Sequence, residues 1–217
     1  RATMAETDIW DVPYLPIDPH DIGREYEEII RINSQSGKGG SAWILEQEYG
    51  IFLPKAMHPA VGEVITATAD TLQREVTPEE IYDIFKKQWL EKKAPLKIVD
   101  LAETHLDSSS GSATPGEHHA QVMCRASVEW QGDVHSTGAK GNGPLDAFVS
   151  ALSSTPVPKF SISAFHEHSI GTGSDTDAMA YIQITLEDGR KLWGCGRSSN
   201  IGRAGIKAVV SAINQTA

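Results

Sequence analysis

Val134-His135-Ser136-Thr137-Gly138-Ala139-Lys140-Gly141-Asn142-Gly143-Pro144-Leu145-Asp146-Ala147-Phe148-Val149-Ser150-Ala151-Leu152 changes period midway, and that change decides the fold. Its first four residues read as a strand, whereas Leu145, Phe148, Val149 and Leu152 recur at helical spacing on one face. Gly138, Gly141 and Gly143 end the strand, and Pro144 suits a first helical position because the N–H it lacks has no partner there anyway. Upstream, Gln131-Gly132-Asp133 reads as a hairpin turn after a strand over 120–130. A further strand spans 97–106, followed by a polar loop at 107–117 with four Ser and two Gly. The same order recurs downstream: strands over 159–170, 178–187 and 191–196, Asp188-Gly189 as a turn, and a helix over 206–213. Two β-β-β-α units of about 55 residues imply a duplicated module. One three-stranded sheet with one helix buries little alone, so the sheets are expected to pack face to face or edge to edge with the helices outside.

Before Pro95 the signals are helical. The run Trp10-Asp11-Val12-Pro13-Tyr14-Leu15-Pro16-Ile17-Asp18-Pro19 carries three prolines and predicts an extended arm, since each fixes φ and removes a donor. Asp21 is a candidate N-cap for a helix starting near Glu25. Val61, Val64, Ile65, Ala69 and Leu72 predict a helix over 57–73. Thr77-Pro78-Glu79-Glu80 has the pattern of a capping box with Pro at N1, and Ile81, Ile84, Phe85 and Leu90 follow it. The expected fold class is α+β: a mainly helical linker over 1–94 with a Pro-rich N-terminal arm, then the duplicated β-β-β-α domain over 95–217.

The chain has 217 residues, 40% of them hydrophobic, with 19 Lys and Arg against 29 Asp and Glu for a net charge of −10. That composition supplies a core and excludes disordered and collagen-like classes. With scattered cations and an acidic balance, no nucleic-acid partner is expected. No apolar run reaches the length of a membrane span. Two cysteines, Cys124 and Cys195, cannot make a disulfide framework and point to a reduced, cytoplasmic setting, or the mitochondrial matrix in a eukaryote. Arg1-Ala2-Thr3-Met4 shows no signal-peptide core and reads as an internal start.

No complete catalytic constellation is present. Ser36-Gly37-Lys38-Gly39-Gly40 lacks the spacing of a phosphate loop and reads as a structural entry to a helix. His166-Glu167-His168 puts two imidazoles on one strand face without a third ligand, so no metal site is assigned. Cys124 and Cys195 lie in strand patterns and read as small core residues. The best candidate is the glycine segment before Pro144, where N–H groups at a helix N-terminus can receive a carboxylate. Its alternative is an ordinary strand-to-helix turn. Gly171-Thr172-Gly173-Ser174-Asp175 is a second polar turn that could help frame a zwitterion.

The segments 10–19, Asp21-Ile22-Gly23-Arg24-Glu25-Tyr26-Glu27 and 31–40 resemble the region after the catalytic barrel in the 2-isopropylmalate synthase family, in its long-chain form. The resemblance continues through Gly141-Asn142-Gly143-Pro144-Leu145, His166-Glu167-His168, Asp177-Ala178-Met179-Ala180-Tyr181, Trp193-Gly194-Cys195-Gly196 and 208–214. It implies part of an acyltransferase that condenses acetyl-CoA with 2-oxoisovalerate in the first committed step of leucine biosynthesis. The parts implied are the linker subdomains and an allosteric domain that forms a homodimer and binds L-leucine as feedback inhibitor. The catalytic barrel and its divalent metal lie outside these residues, so the chain alone is expected to be inactive and to hold no cofactor. Tyr14 matches a residue that assists the partner subunit's barrel; otherwise it is an aromatic plug in the arm. The leucine pocket implied comprises Gly141, Asn142, Gly143, Leu145, Ile162, Phe165, Ser169, Thr176, Ala178 and Ile201. Phe165 stands where a relative has Tyr, and Ser169 and Thr176 where it has Ala, which makes the pocket more polar. The alternatives are a free-standing amino-acid-sensing dimerisation protein and the equivalent region of citramalate synthase.

Overall fold

The computed structural model describes residues 19–23, 39–90, 92–106, 121–171 and 176–216. Residues 1–31 and 32–217 form separate compact units. In the first, Pro19–Ile22 is a short 3-10 helix that includes Asp21. The expected extended run 10–18, with Tyr14, and the expected helix near Glu25 lie outside the described residues.

The second unit begins with helices α1 (Gly40–Tyr49), α2 (His58–Leu72) and α3 (Pro78–Phe85), the last continuing into a π-helical turn, Lys86–Leu90. Helix α2 buries Val61, Ile65 and Ala69 as its spacing predicts, while Leu72 is exposed at its end. The capping box is complete: Glu80 N–H donates to Thr77 Oγ1 at 3.3 Å, and Thr77 N–H donates to Glu80 Oε2 at 3.0 Å. Arg74 clamps the same carboxylate, and together these bonds hold the Glu80 carboxyl down at about 2.

Strands β1 (Leu96–Leu106), β2 (Gln121–Trp130) and β3 (Asp133–Gly141) form one antiparallel sheet, with α4 (Pro144–Leu152) after it. Strands β4 (Phe160–Ile170), β5 (Asp177–Leu186) and β6 (Lys191–Ser198) form a second, with α5 (Ile201–Ile213) after it. The modules share a detail that periodicity does not show. In β1 the register shifts between Ile98 and Asp100, and in β4 between Ile162 and Ala164, so each first strand is bulged at its fourth residue. The β2–β3 hairpin turns on Gln131 (φ 53°) and Gly132 (φ 98°), the backbone that a two-residue hairpin of right-handed twist requires.

Two boundaries differ from the sequence expectation. Strand β3 continues through Gly138 to Gly141, because its edge pairs with β2 as far as Val122. Helix α5 starts five residues early, at Ile201, because Asn200 Oδ1 accepts from Arg203 N–H at 3.0 Å and caps it. The expected placement of the helices outside is also corrected. Helix α4 lies on β2 and β3, α5 lies on β5 and β6 and reaches β1, and the two helices touch. They occupy the inner side of both sheets, where Val122, Cys124, Val128, Ala180, Ile182 and Ile184 meet Phe148, Leu152, Ala208 and Val209 in one core. Burial pushes both cysteine thiols up, as suits inert core residues.

Helix α5 sits closer to its sheet than side chains permit. A Cβ on Gly194 would lie 2.2 Å from the Ala208 carbonyl oxygen and the Ala212 nitrogen, and one on Gly196 would lie 2.1 Å from the Ala204 oxygen. At its far end, the fully buried Asn214 amide accepts from Leu96 N–H (2.7 Å) and donates to the carbonyls of Lys92 (2.8 Å) and Leu96 (2.9 Å). The Ser211 hydroxyl donates to the Trp89 carbonyl, so α5 also carries the linker. The outer face of the second sheet meets the linker through His168. Its Nε2 is 3.1 Å from the Gly50 carbonyl, with its ring stacked on Tyr181 and edge-on to Phe52. Burial lowers the His168 pKa against the weaker opposing effect of the Gly50 contact, so the fold favours the neutral ring.

Gly194→Val is expected to cost about 3 kcal/mol and to lower the melting temperature by roughly 6–12 °C, because the helix backbone itself must retreat. Differential scanning calorimetry of the variant beside the wild type measures this.

Candidate ligand site at two helix N-termini

The first turns of α4 and α5 meet. A Cβ on Gly202 would lie 3.3 Å from Pro144 Cβ and Cγ, a tight approach of the two helix starts. Beside the contact is a cavity of about 320 Å³ lined by Gly143, Leu145, Phe165 and Ile201, with Asp146, Glu167 and Gly205 completing its walls. Phe165 and Ile201 remain 44% and 51% exposed, so the apolar wall opens outward.

Four of the ten residues expected in the pocket therefore line one cavity. The other six are placed as follows. Gly141 stands at the end of β3, where a Cβ would lie 2.3 Å from Ala147 N; its need for glycine is a close strand-to-helix approach. Asn142 donates its backbone N–H to Asp146 Oδ2 at 2.8 Å. Ser169 and Ala178 are cross-strand partners on β4 and β5, Ser169 following Phe165 and Glu167 along one strand face, and Ala178 is buried in the core. Ile162 lies across the β4 bulge, opposite Ile184. Thr176 precedes β5 and is half-buried. Of the second polar turn, only Gly171, at φ 104°, falls within the described residues.

Asp146, Glu167, Gly202 and Gly205 were not foreseen as pocket residues. Glu167 was visible only as the centre of His166-Glu167-His168, a pattern read for its histidines. Gly143 has φ −172°, ordinary extended backbone, and a Cβ there would meet nothing within 4 Å. What glycine does at this N-cap is leave the first turn of α4 without a side-chain acceptor. Helix α5, by contrast, is capped by Asn200. The cavity surface is almost wholly apolar, although Asp146 and Glu167 are among its lining residues and the first turn of α4 beside it has no side-chain cap. An apolar cavity of this size suits a small branched apolar group. Among the described residues, no group of three His, Cys, Asp or Glu side chains is placed to hold a metal ion, and no helix is long and apolar enough to cross a membrane.

Residues 75–217 match the family described as the LeuA allosteric (dimerisation) domain, and the chain belongs to that family. Residues 1–46 match the family described as alpha-isopropylmalate synthase, post-catalytic domain-like. The chain is 42% identical over 207 residues, 95% of its length, to a 2-isopropylmalate synthase of Clostridium acetobutylicum, of which it covers 36%. It is 43% identical over 215 residues, 99% of its length, to one from Pseudomonas entomophila, again covering 36%. A 2-isopropylmalate synthase of Rhizobium johnstonii is 40% identical over 215 residues, with 37% of it covered. The chain thus spans about a third of the length of these relatives and corresponds to their C-terminal regions.

Gly141→Ser is expected to cost about 2–4 kcal/mol by forcing Ala147 away from the strand, whereas Gly143→Ser leaves stability within about 0.5 kcal/mol, because Ser is a good N-cap in extended backbone. Urea unfolding midpoints of the two variants separate these outcomes.

Proposed function

We propose that this chain is the leucine-sensing part of a 2-isopropylmalate synthase, with L-leucine bound in the cavity where α4 and α5 begin. The observation that carries the reading is the meeting of Gly143, Leu145, Phe165 and Ile201 around one apolar cavity beside the uncapped first turn of α4. In this reading the leucine carboxylate accepts from the first turn of α4, and the ammonium group faces Asp146 and Glu167. The isobutyl group packs on Leu145, Phe165 and Ile201, a burial worth about 1.5–3 kcal/mol. Isoleucine gains similar area, so the shape of the branch, not apolar area, supplies discrimination.

Condensation of acetyl-CoA with 2-oxoisovalerate, and the divalent metal that such enolate chemistry uses, belong to a catalytic barrel outside these residues. The present chain contributes sensing and association and, alone, forms no isopropylmalate. Tyr14, in the N-terminal arm, is the residue through which it would assist a partner's barrel. The protein is expected to work in the cytoplasm.

A ligand that binds only the folded state adds about 2.7 kcal/mol at a hundredfold excess over its dissociation constant. Leucine in excess is therefore expected to raise the melting temperature by several degrees, and more than valine does. Gly143→Asp abolishes the shift while the protein stays folded, because Asp is itself a favourable N-cap and puts its own carboxylate where the ligand's must sit. An unmoved wild-type melting curve, or an Asp variant that responds as the wild type does, refutes the site.

Association follows from the same face. Helix α5 covers β5 and β6, leaving Ile162 and Phe165 of β4 and Ile201 as exposed apolar side chains beside the cavity. Burying them across a two-fold axis makes a homodimer. Light scattering on the folded chain is expected to give twice the monomer mass of 23.5 kDa, and a monomer mass contradicts it.

A further inference from the structure

A concavity of about 1030 Å³ lies between the end of the linker, β1 and α5. Seven Lys and Arg side chains line it against two carboxylates, Asp100 and Asp177, in a chain whose acids outnumber its bases 29 to 19. Three of the cations, Arg197, Arg203 and Lys207, come from the end of β6 and the first turns of α5, and the other four from the linker and the start of β1. Arg197 engages Asp177 Oδ2 through Nε at 2.8 Å. Lys207 Nζ is fixed beside it by donation to the Arg197 carbonyl at 2.9 Å, and Arg203 stands one helical turn before Lys207. Like charges four residues apart on a helix repel, so this arrangement costs stability unless an anion lies between them. Ser198 and Ser199 add hydroxyls at the same end, while β1 contributes an apolar wall in Val99, 53% exposed at the bulge, and Leu101.

We propose that this groove is a second ligand site, for a small phosphate-bearing molecule of the nucleotide class. The phosphates are held by Arg197, Arg203 and Lys207 and the less polar part lies along β1. Guanidinium and ammonium groups in one cluster suit phosphate oxygens. The volume exceeds what a lone inorganic anion fills and matches a metabolite-sized ligand. A long nucleic acid does not fit the charge balance, because the rest of the acidic surface repels an extended polyanion. Since the walls come from the linker, β1 and α5, a bound molecule would tie all three together.

Isothermal titration of the whole chain with ADP in metal-free, low-salt buffer tests the site, with adenosine and pyrophosphate as separate arms. ADP is expected to bind with a dissociation constant of about 100 μM or tighter. Adenosine is expected to give no binding, and pyrophosphate binding several-fold weaker than that of ADP. The double variant R203E/K207E weakens ADP at least tenfold, R203Q gives a smaller loss, and Lys140→Glu, on β3 away from the groove, changes nothing. Melting curves without ligand confirm that each variant is folded, and an unchanged leucine response in R203E/K207E separates this site from the cavity at Gly143. No heat with millimolar ADP overturns the proposal, as does ADP binding that R203E/K207E leaves intact. Pyrophosphate binding as tight as ADP overturns the nucleotide class.

Discussion

The backbone of α5 rests directly on the backbone of β6. At Gly194 and Gly196 there is no room for even one methyl group, and the helix oxygens and nitrogens of Ala204, Ala208 and Ala212 fill the space. Much else depends on that contact. The helix buries residues on several sides at once, so it can pack on its own sheet, touch α4 and reach β1 of the other module. Two small sheets thereby share one core, which neither could build alone. The position of α5 also places Asn214 where its amide bonds both backbone groups of Leu96 and the Lys92 carbonyl, joining the second module to the start of the first.

Signals that are local in the chain were legible from residues alone. The capping box at Thr77 and the buried stripe Val61, Ile65 and Ala69 depend on neighbours within a turn or two, and the sequence contains those neighbours. The repeat of β-β-β-α was legible for the same reason. The side of the sheets taken by the helices was not, because the alternation in β2 says that one face is buried without saying by what. The extra turns of α5 were missed because Asn200 in Arg197-Ser198-Ser199-Asn200 was not read as a cap, although its spacing to Arg203 carries that signal. In the cavity, Gly143, Leu145, Phe165 and Ile201 were named from the resemblance to the 2-isopropylmalate synthase family, not from periodicity. Asp146 and Glu167 stayed hidden, since an acid in a strand or on a helix start usually reads as solvated surface. Only the closeness of the α4 start to β4, which is tertiary, gives them a shared role.

Helix α5 divides its surroundings by its own period. Ile201, Gly202 and Gly205 face the small cavity with its acids, and Arg203, Ile206 and Lys207 face the large basic groove. Residues three and four apart share a side, so an apolar cavity and a basic groove lie on either flank of one helix start. The polar character on each flank is therefore set independently, and a substitution on one side need not disturb the other.

Thirteen residues of α-helix make a rod about 20 Å long. Its first turn lies against the cavity, and beyond its last turn Asn214 grips the backbone at Lys92 and Leu96, with Ser211 holding Trp89. Between these ends the helix backbone rests on Gly194 and Gly196 of β6 with no room for a side chain. One continuous helix thereby runs from the cavity to the place where the linker chain is held.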